Sequence, residues 1–203
     1  MHTNKCRRVS ALLVIMACLT VFAPAQAKDS DAQGLRVEPP KSISVRTLIN
    51  QDGQAVSFPA KGKWQLAIFG FTSCPDICPV TLQKAAVVLK RLGAKATGLE
   101  VVFLSVDSDR DQPDVVKKFV SVHDARIQGL TGAAGAVQAV ANEFGVIARR
   151  YQGKTAMEYR IEHSSFLYLL DPQGRIVIFY PEKIGPEQVV ADLERLWKRA
   201  GSD

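Results

Sequence analysis

The chain has 203 residues, 47% hydrophobic and 23% charged, enough for one domain with a sizeable core. Its 14 Gly and 10 Pro are ordinary counts, which excludes collagen-like, low-complexity and disordered chains. The formal charge of +6 hints at nucleic acid, but Lys5, Arg7 and Arg8 supply half of it. These bases precede an apolar run at 11–23 and then Ala25-Gln26-Ala27, the layout of a secretory signal peptide. Without residues 1–27 the chain keeps 176 residues and a charge of +3, and no nucleic-acid partner is expected. Counted from Val9 to Ala27, the same stretch also suits an uncleaved membrane anchor. Residues 15–18 resemble a lipoprotein box, although the apolar run continues past Cys18. Each version puts residues 28–203 outside the cytoplasm, in the periplasm or on the outer face of the cytoplasmic membrane.

Residues 28–41 are polar, contain Pro39-Pro40 and read as a flexible lead-in to a domain at 42–203. Residues 43–49 and 55–58 flank Asn50-Gln51-Asp52-Gly53, a hairpin signal. The nearly unbroken apolar run 64–71 suits a strand buried on both faces. Leu82, Ala85, Leu89 and Leu92 then recur at helical spacing, closed by Gly93. Residues 99–106 form a second apolar strand, Pro113 opens a helix through Phe119 and Val120, and 127–130 is a short third strand. Val137, Val140 and Phe144 mark another helix, stopped by Gly145. Residues 146–151 and 157–161 pair across Gln152-Gly153, and 165–170 pairs with 175–180 across Asp171-Pro172-Gln173-Gly174. Pro186 starts a last helix carrying Val189, Leu193 and Trp197. This order predicts an α/β thioredoxin-like fold: a central mixed sheet flanked by helices, with an added N-terminal β-hairpin.

Of four cysteines, Cys6 and Cys18 fall in the signal segment, leaving Cys74 and Cys78 for one local purpose. Long-range disulfides are thereby excluded, and a purely structural bridge over so short a loop would constrain little of the unfolded chain. Cys74 follows the end of the first buried strand, where open α/β sheets build their sites. Pro79 fits as the first residue of the next helix, which puts Cys78 at its N-cap and predicts a lowered thiol pKa. Helical i, i+4 neighbours hold Cβ atoms about 5–6 Å apart, wider than the 3.5–4.5 Å or so of a disulfide. That gap favours two sulfurs sharing a metal, while a reversible Cys74–Cys78 disulfide stays accessible. His163, just before the apolar strand 165–170, is the candidate third ligand. Two thiolates and an imidazole suit Cu(I), could hold Cu(II) with added water, and do not exclude zinc.

Three stretches carry a resemblance: residues 71–79 (Phe-Thr-Ser-Cys-Pro-Asp-Ile-Cys-Pro), 105–111 (Ser-Val-Asp-Ser-Asp-Arg-Asp) and 162–165 (Glu-His-Ser-Ser). In this order they resemble the signatures of the Sco/SenC family of copper-binding, thioredoxin-fold proteins, and the likeness runs from Ser44 to Trp197. Ser108 stands where that family often has Pro, and Glu162 where it often has Asp. The resemblance implies a copper site of Cys74, Cys78 and His163, and a role in assembling the binuclear copper centre of cytochrome c oxidase subunit II. Another extracytoplasmic copper chaperone would be a second partner. Such a protein carries copper and does not turn over a substrate. The alternatives are a thiol–disulfide oxidoreductase that keeps the target cysteines reduced, and a redox or copper sensor. A peroxiredoxin-like peroxidase would need Thr where Phe71 stands.

The remaining polar candidates have plainer readings. His123 reads as a solvated residue near a helix end, and Asp76 as a helix cap or a partner contact. Asp107 reads as an Asx turn before a group beside the metal, and Asp109-Arg110-Asp111 as a solvated charged loop. Phe69, Phe71 and Phe166 read as core.

Overall fold

Residues 34–155 and 158–200 are described by the computed structural model. The signal or anchor segment, with His2, Cys6 and Cys18, lies outside the described residues. Ten strands and four α-helices follow in chain order: β1 Leu35–Ser42, β2 Arg46–Asn50, β3 Ala55–Phe58, β4 Trp64–Gly70, α1 Ile77–Leu92, β5 Leu99–Ser105, α2 Pro113–Ser121, β6 Ile127–Thr131, α3 Ala134–Phe144, β7 Ala148–Gln152, β8 Tyr159–His163, β9 Phe166–Leu170, β10 Arg175–Pro181 and α4 Pro186–Ala200. Eight strands form one mixed sheet in the order β1-β10-β9-β4-β5-β6-β2-β3, while β7 and β8 form a two-stranded sheet of their own. Among the described residues, no helix is long and apolar enough to cross a membrane.

β4 is apolar throughout because both its faces are covered. It pairs in parallel with β5 and antiparallel with β9, and every residue after Trp64 is buried. Side chains alternate across a strand. Leu66 and Ile68 therefore join a core with Leu82 and Leu89 of α1, Val116 and Val120 of α2, and Val189 and Leu193 of α4. Ala67 and Phe69 face the other way, against Val137, Val140 and Phe144 of α3. Each large side chain buried in these layers contributes about 1.5–3 kcal/mol. The predicted hairpin forms as β2–β3 and docks on β6 through Ile49↔Thr131 and Asn50↔Leu130. Gly145 ends α3 in the left-handed region at φ +71°, which a side chain would disfavour.

Three expectations change. The lead-in is not all flexible: Leu35–Ser42 pairs with β10, from Leu35↔Phe179 to Ser42↔Arg175. The register slips between Arg36 and Lys41, where Pro39-Pro40 has no N–H to donate, and proline is tolerated on such an edge. The strand is mostly exposed, so it carries no apolar alternation to announce it. Helix α1 begins at Ile77, so Cys78 is its second residue and Pro79 its third. The first four N–H groups of a helix lack intrahelical partners, so Pro79 breaks nothing there. The β7–β8 pairing, Ala148↔His163 to Gln152↔Tyr159, lies about two residues later than the hairpin predicted around Gln152-Gly153. Met157, expected at its start, is outside the described residues.

Candidate metal centre

The site forms where β4 and β5 end. Val106 N–H donates to the Gly70 carbonyl at 2.8 Å, and Cys74 N–H closes a turn onto the Phe71 carbonyl at 3.2 Å. Cys78, in the first turn of α1, points back at the strand end and is 1% exposed. Gly70 leaves it room: a Cβ there would lie 2.8 Å from the Cys78 sulfur and 2.8 Å from the Phe103 ring. His163, the last residue of β8, arrives from across the sheet end, with Nε2 3.4 Å from Cys78 Sγ. The ligand atoms of Cys74, Cys78 and His163 all lie within 4.8 Å of one another. An ion with bonds of about 2.0–2.3 Å at trigonal angles separates its ligands by roughly 3.7–4.0 Å. Shifts of about an ångström or less would close this set on one ion.

The protonation pattern suits ligation. Nδ1 of His163 faces the Ser164 carbonyl at 3.1 Å, and a carbonyl only accepts. The neutral ring therefore keeps its proton on Nδ1 and turns the Nε2 lone pair toward Cys78. Burial holds the imidazole pKa below its ordinary value, which keeps the ring neutral. The Phe71 ring packs edge-on at 5.7 Å from the imidazole and covers one flank. Both cysteines are free thiols. The expected depression of the Cys78 pKa is not found: burial pushes the thiol up, followed by its hydrogen bond to Cys74, and the nearby Asp111 carboxylate adds to the rise. Desolvation of the thiolate outweighs the helix N-terminus at a sulfur this deep. A bound cation reverses that preference, because a coordinated thiol deprotonates.

The charged loop is largely not solvated. Asp111 is 0% exposed and Asp107 3%, both held by hydrogen bonds, and only Asp109 of the trio 109–111 is exposed. Asp107 does not form the expected Asx turn: the turn is closed by its backbone carbonyl, which accepts from the Arg110 and Asp111 N–H groups at 3.2 and 2.9 Å, while its carboxylate accepts from Tyr159 and Arg110. Sequence reasoning missed Thr72 and Tyr159, which bind these acids; a Ser-x-Asp just after a buried strand was the available signal. His123, expected to be solvated, is half-buried with its ring edge-on to Phe119 at 5.8 Å, and it is not in the candidate metal group. Asp76 occupies the N-cap of α1 without a side-chain capping bond. Beside the ligands, a cleft of about 330 Å³ opens between Phe71, Pro75, Arg110, Tyr159 and Ile161.

Fold and site together define a thioredoxin-like domain with a dithiol at a helix start and an imidazole closing on it from a hairpin. The SCO1/SenC family model matches residues 40–198, and the chain belongs to that family. The SCO2-like protein of Rickettsia felis (strain ATCC VR-1525 / URRWXCal2) is 34% identical over 149 residues, 72% of this chain and 73% of that protein. Bradyrhizobium japonicum ScoI, solved with copper bound, superposes with TM-score 0.70 at 35% identity over 76% of this chain and 98% of its own. BsSco, a member of the Sco family of cytochrome c oxidase assembly proteins in which a disulfide switch has been identified, superposes with TM-score 0.62 at 26% identity, over 77% of this chain and 94% of its own.

Proposed function

We propose that the protein is a copper carrier that delivers the metal to the binuclear copper centre of cytochrome c oxidase subunit II outside the cytoplasm. The observation that carries this reading is the closeness of two thiols and a tautomer-fixed imidazole, all within 4.8 Å. Soft sulfur ligands with one nitrogen select Cu(I), which accepts three-coordination. Loading displaces the thiol protons, and His163, already neutral, ligates without losing one. A three-coordinate ion has room for an incoming ligand, so an acceptor thiolate can bind before a donor sulfur leaves. The cleft beside Phe71 and Pro75 offers a route for that ligand. A relative solved with copper bound supports the cargo, and the family's tie to oxidase assembly supports the acceptor. Anaerobic Cu(I) loading followed by metal analysis tests the reading. We expect one copper per chain, weakened in the His163→Ala protein and lost in the Cys74→Ser, Cys78→Ser protein. A full complement in the double variant rejects the site.

The free dithiol favours one second reading, a reductase that opens a disulfide in the target so that copper can enter. Each cycle would move two electrons and two protons from Cys74 and Cys78 to the target disulfide, leaving a Cys74–Cys78 bridge. That exchange has no need of His163. A His163→Ala protein that binds copper poorly yet restores oxidase assembly favours reduction; one that fails in both favours delivery.

A further inference from the structure

The second sequence motif, residues 105–111, gives no ligand to the metal centre but grips both halves of it. Toward the cysteines, the buried Asp111 carboxylate accepts from Thr72 N–H at 2.8 Å, Thr72 Oγ1 at 2.6 Å and Ser105 Oγ at 2.5 Å. Thr72 stands two residues before Cys74. Toward the histidine, Asp107 accepts from the Tyr159 hydroxyl and from Arg110 Nε, the latter at 2.5 Å. Arg110 also donates to the Tyr159 carbonyl at 3.2 Å, and its guanidinium lies 3.8 Å over the Tyr159 ring. The Arg150 guanidinium lies 3.5 Å from the same ring centroid and pairs with Asp109 at 2.7 Å. Tyr159 precedes His163 by four residues on β8, so the two side chains share a face of the strand.

The hairpin needs such a grip. β7–β8 makes no ladder with the eight-stranded sheet, and a lone two-stranded sheet is marginal in water. At its root, Ser164 N–H donates to the Ile147 carbonyl at 3.1 Å, and Ile147 N–H donates to Ser164 Oγ at 3.3 Å. Further out, Tyr159 is the one buried residue among the described residues of β7 and β8.

We propose that the 105–111 loop is a positioning clasp that sets His163 against the cysteine pair, with Tyr159 as its grip on the hairpin. The proposal rests on Cys74, Cys78 and His163 forming one metal centre. Release of Tyr159 lets the imidazole swing away and leaves a two-sulfur site that gives up its cargo faster. Asp107, Asp111 and Tyr159 act through the ligands and touch no metal.

The test loads full-length Tyr159→Phe with Cu(I) anaerobically, beside the parent and His163→Ala. It reads copper stoichiometry, the nitrogen and sulfur shells by X-ray absorption, and the rate of copper capture by a Cu(I) chelator such as bathocuproine disulfonate. Tyr159→Phe should keep one copper on sulfur, lose nitrogen scattering toward the His163→Ala level, and release copper roughly tenfold faster than the parent. A mere loss of stability would lower the melting temperature without changing the ligand shell of the folded, loaded fraction. Should Tyr159→Phe not fold, Arg150→Gln carries the test, because Arg150 is 43% exposed; a release rate between parent and His163→Ala is expected. Parent-like ligand shells and release rates in the variant tested, with His163→Ala clearly changed, overturn the clasp alone. A parent without a nitrogen ligand, or without copper, overturns the metal centre itself.

Discussion

Cys78 and His163 lie 3.4 Å apart but belong to unlike parts of the molecule. Cys78 sits on α1, whose Leu82, Ala85, Val88 and Leu89 are all at most 2% exposed in the main core. His163 ends a hairpin outside the main sheet, fastened by polar contacts, the buried Tyr159 ring and the half-buried Ile161 against the cysteine cluster. One half of the centre is therefore built into the core, whereas the other rides on a hairpin with few buried side chains. The proposed carrier role has use for both settings: sulfurs set in the core would retain the ion, and an imidazole on a separate hairpin would admit an exchange partner.

Substitutions that separate the halves sharpen this contrast. Leu82→Ala should cost the most, about 2–5 kcal/mol by chemical denaturation, because it empties a fully buried site beneath the cysteines. Gly70→Ala should cost about 1–3 kcal/mol, since its new methyl meets the Cys78 sulfur and Phe103. Copper affinity should fall with it. His163→Ala should cost about 1 kcal/mol or less while still weakening copper retention; a larger loss of stability would mean the hairpin belongs to the core. Tyr151→Ala, on the exposed face of the hairpin, should stay within about 0.5 kcal/mol and leave copper untouched.

The smallest effect is on pH dependence. Burial lowers the pKa of both His163 and His123 below the ordinary 6.5. A histidine with a depressed folded pKa binds fewer protons when folded. The unfolded chain then takes up protons first, and metal-free stability should fall as pH drops below about 6.5. Urea midpoints at pH 7.5 and 5.5 measure it, and His163→Ala should show the smaller drop.

The sequence disclosed elements best where one physical cause acted alone. β4 and β5 are buried on both faces, so their composition is sufficient, and Leu82, Ala85 and Leu89 recur because one face of α1 meets the sheet. β1 escaped notice because it is held by backbone bonds to β10 and shows no apolar face. Asp111 read as solvated and Asp107 as a turn residue because a charge signals water or a local turn unless its partners are known, and those partners are Thr72 and Tyr159, 39 and 52 residues away. The Cys78 thiol went the opposite way for a related reason: helix position is local, whereas depth of burial is set by Gly70, Phe71 and Ile161 together.

By itself the sequence determined the candidate ligand types, the helix-start setting of the two cysteines, the layered α/β architecture and the family likeness, because spacing and periodicity are local properties of a chain. Only the tertiary structure decided that the imidazole reaches the sulfurs, which ring nitrogen faces them, and that Asp107 and Asp111 are buried. Those outcomes depend on separations of tens of residues closing to a few ångströms. No local pattern records that closure; it follows from how the layers pack.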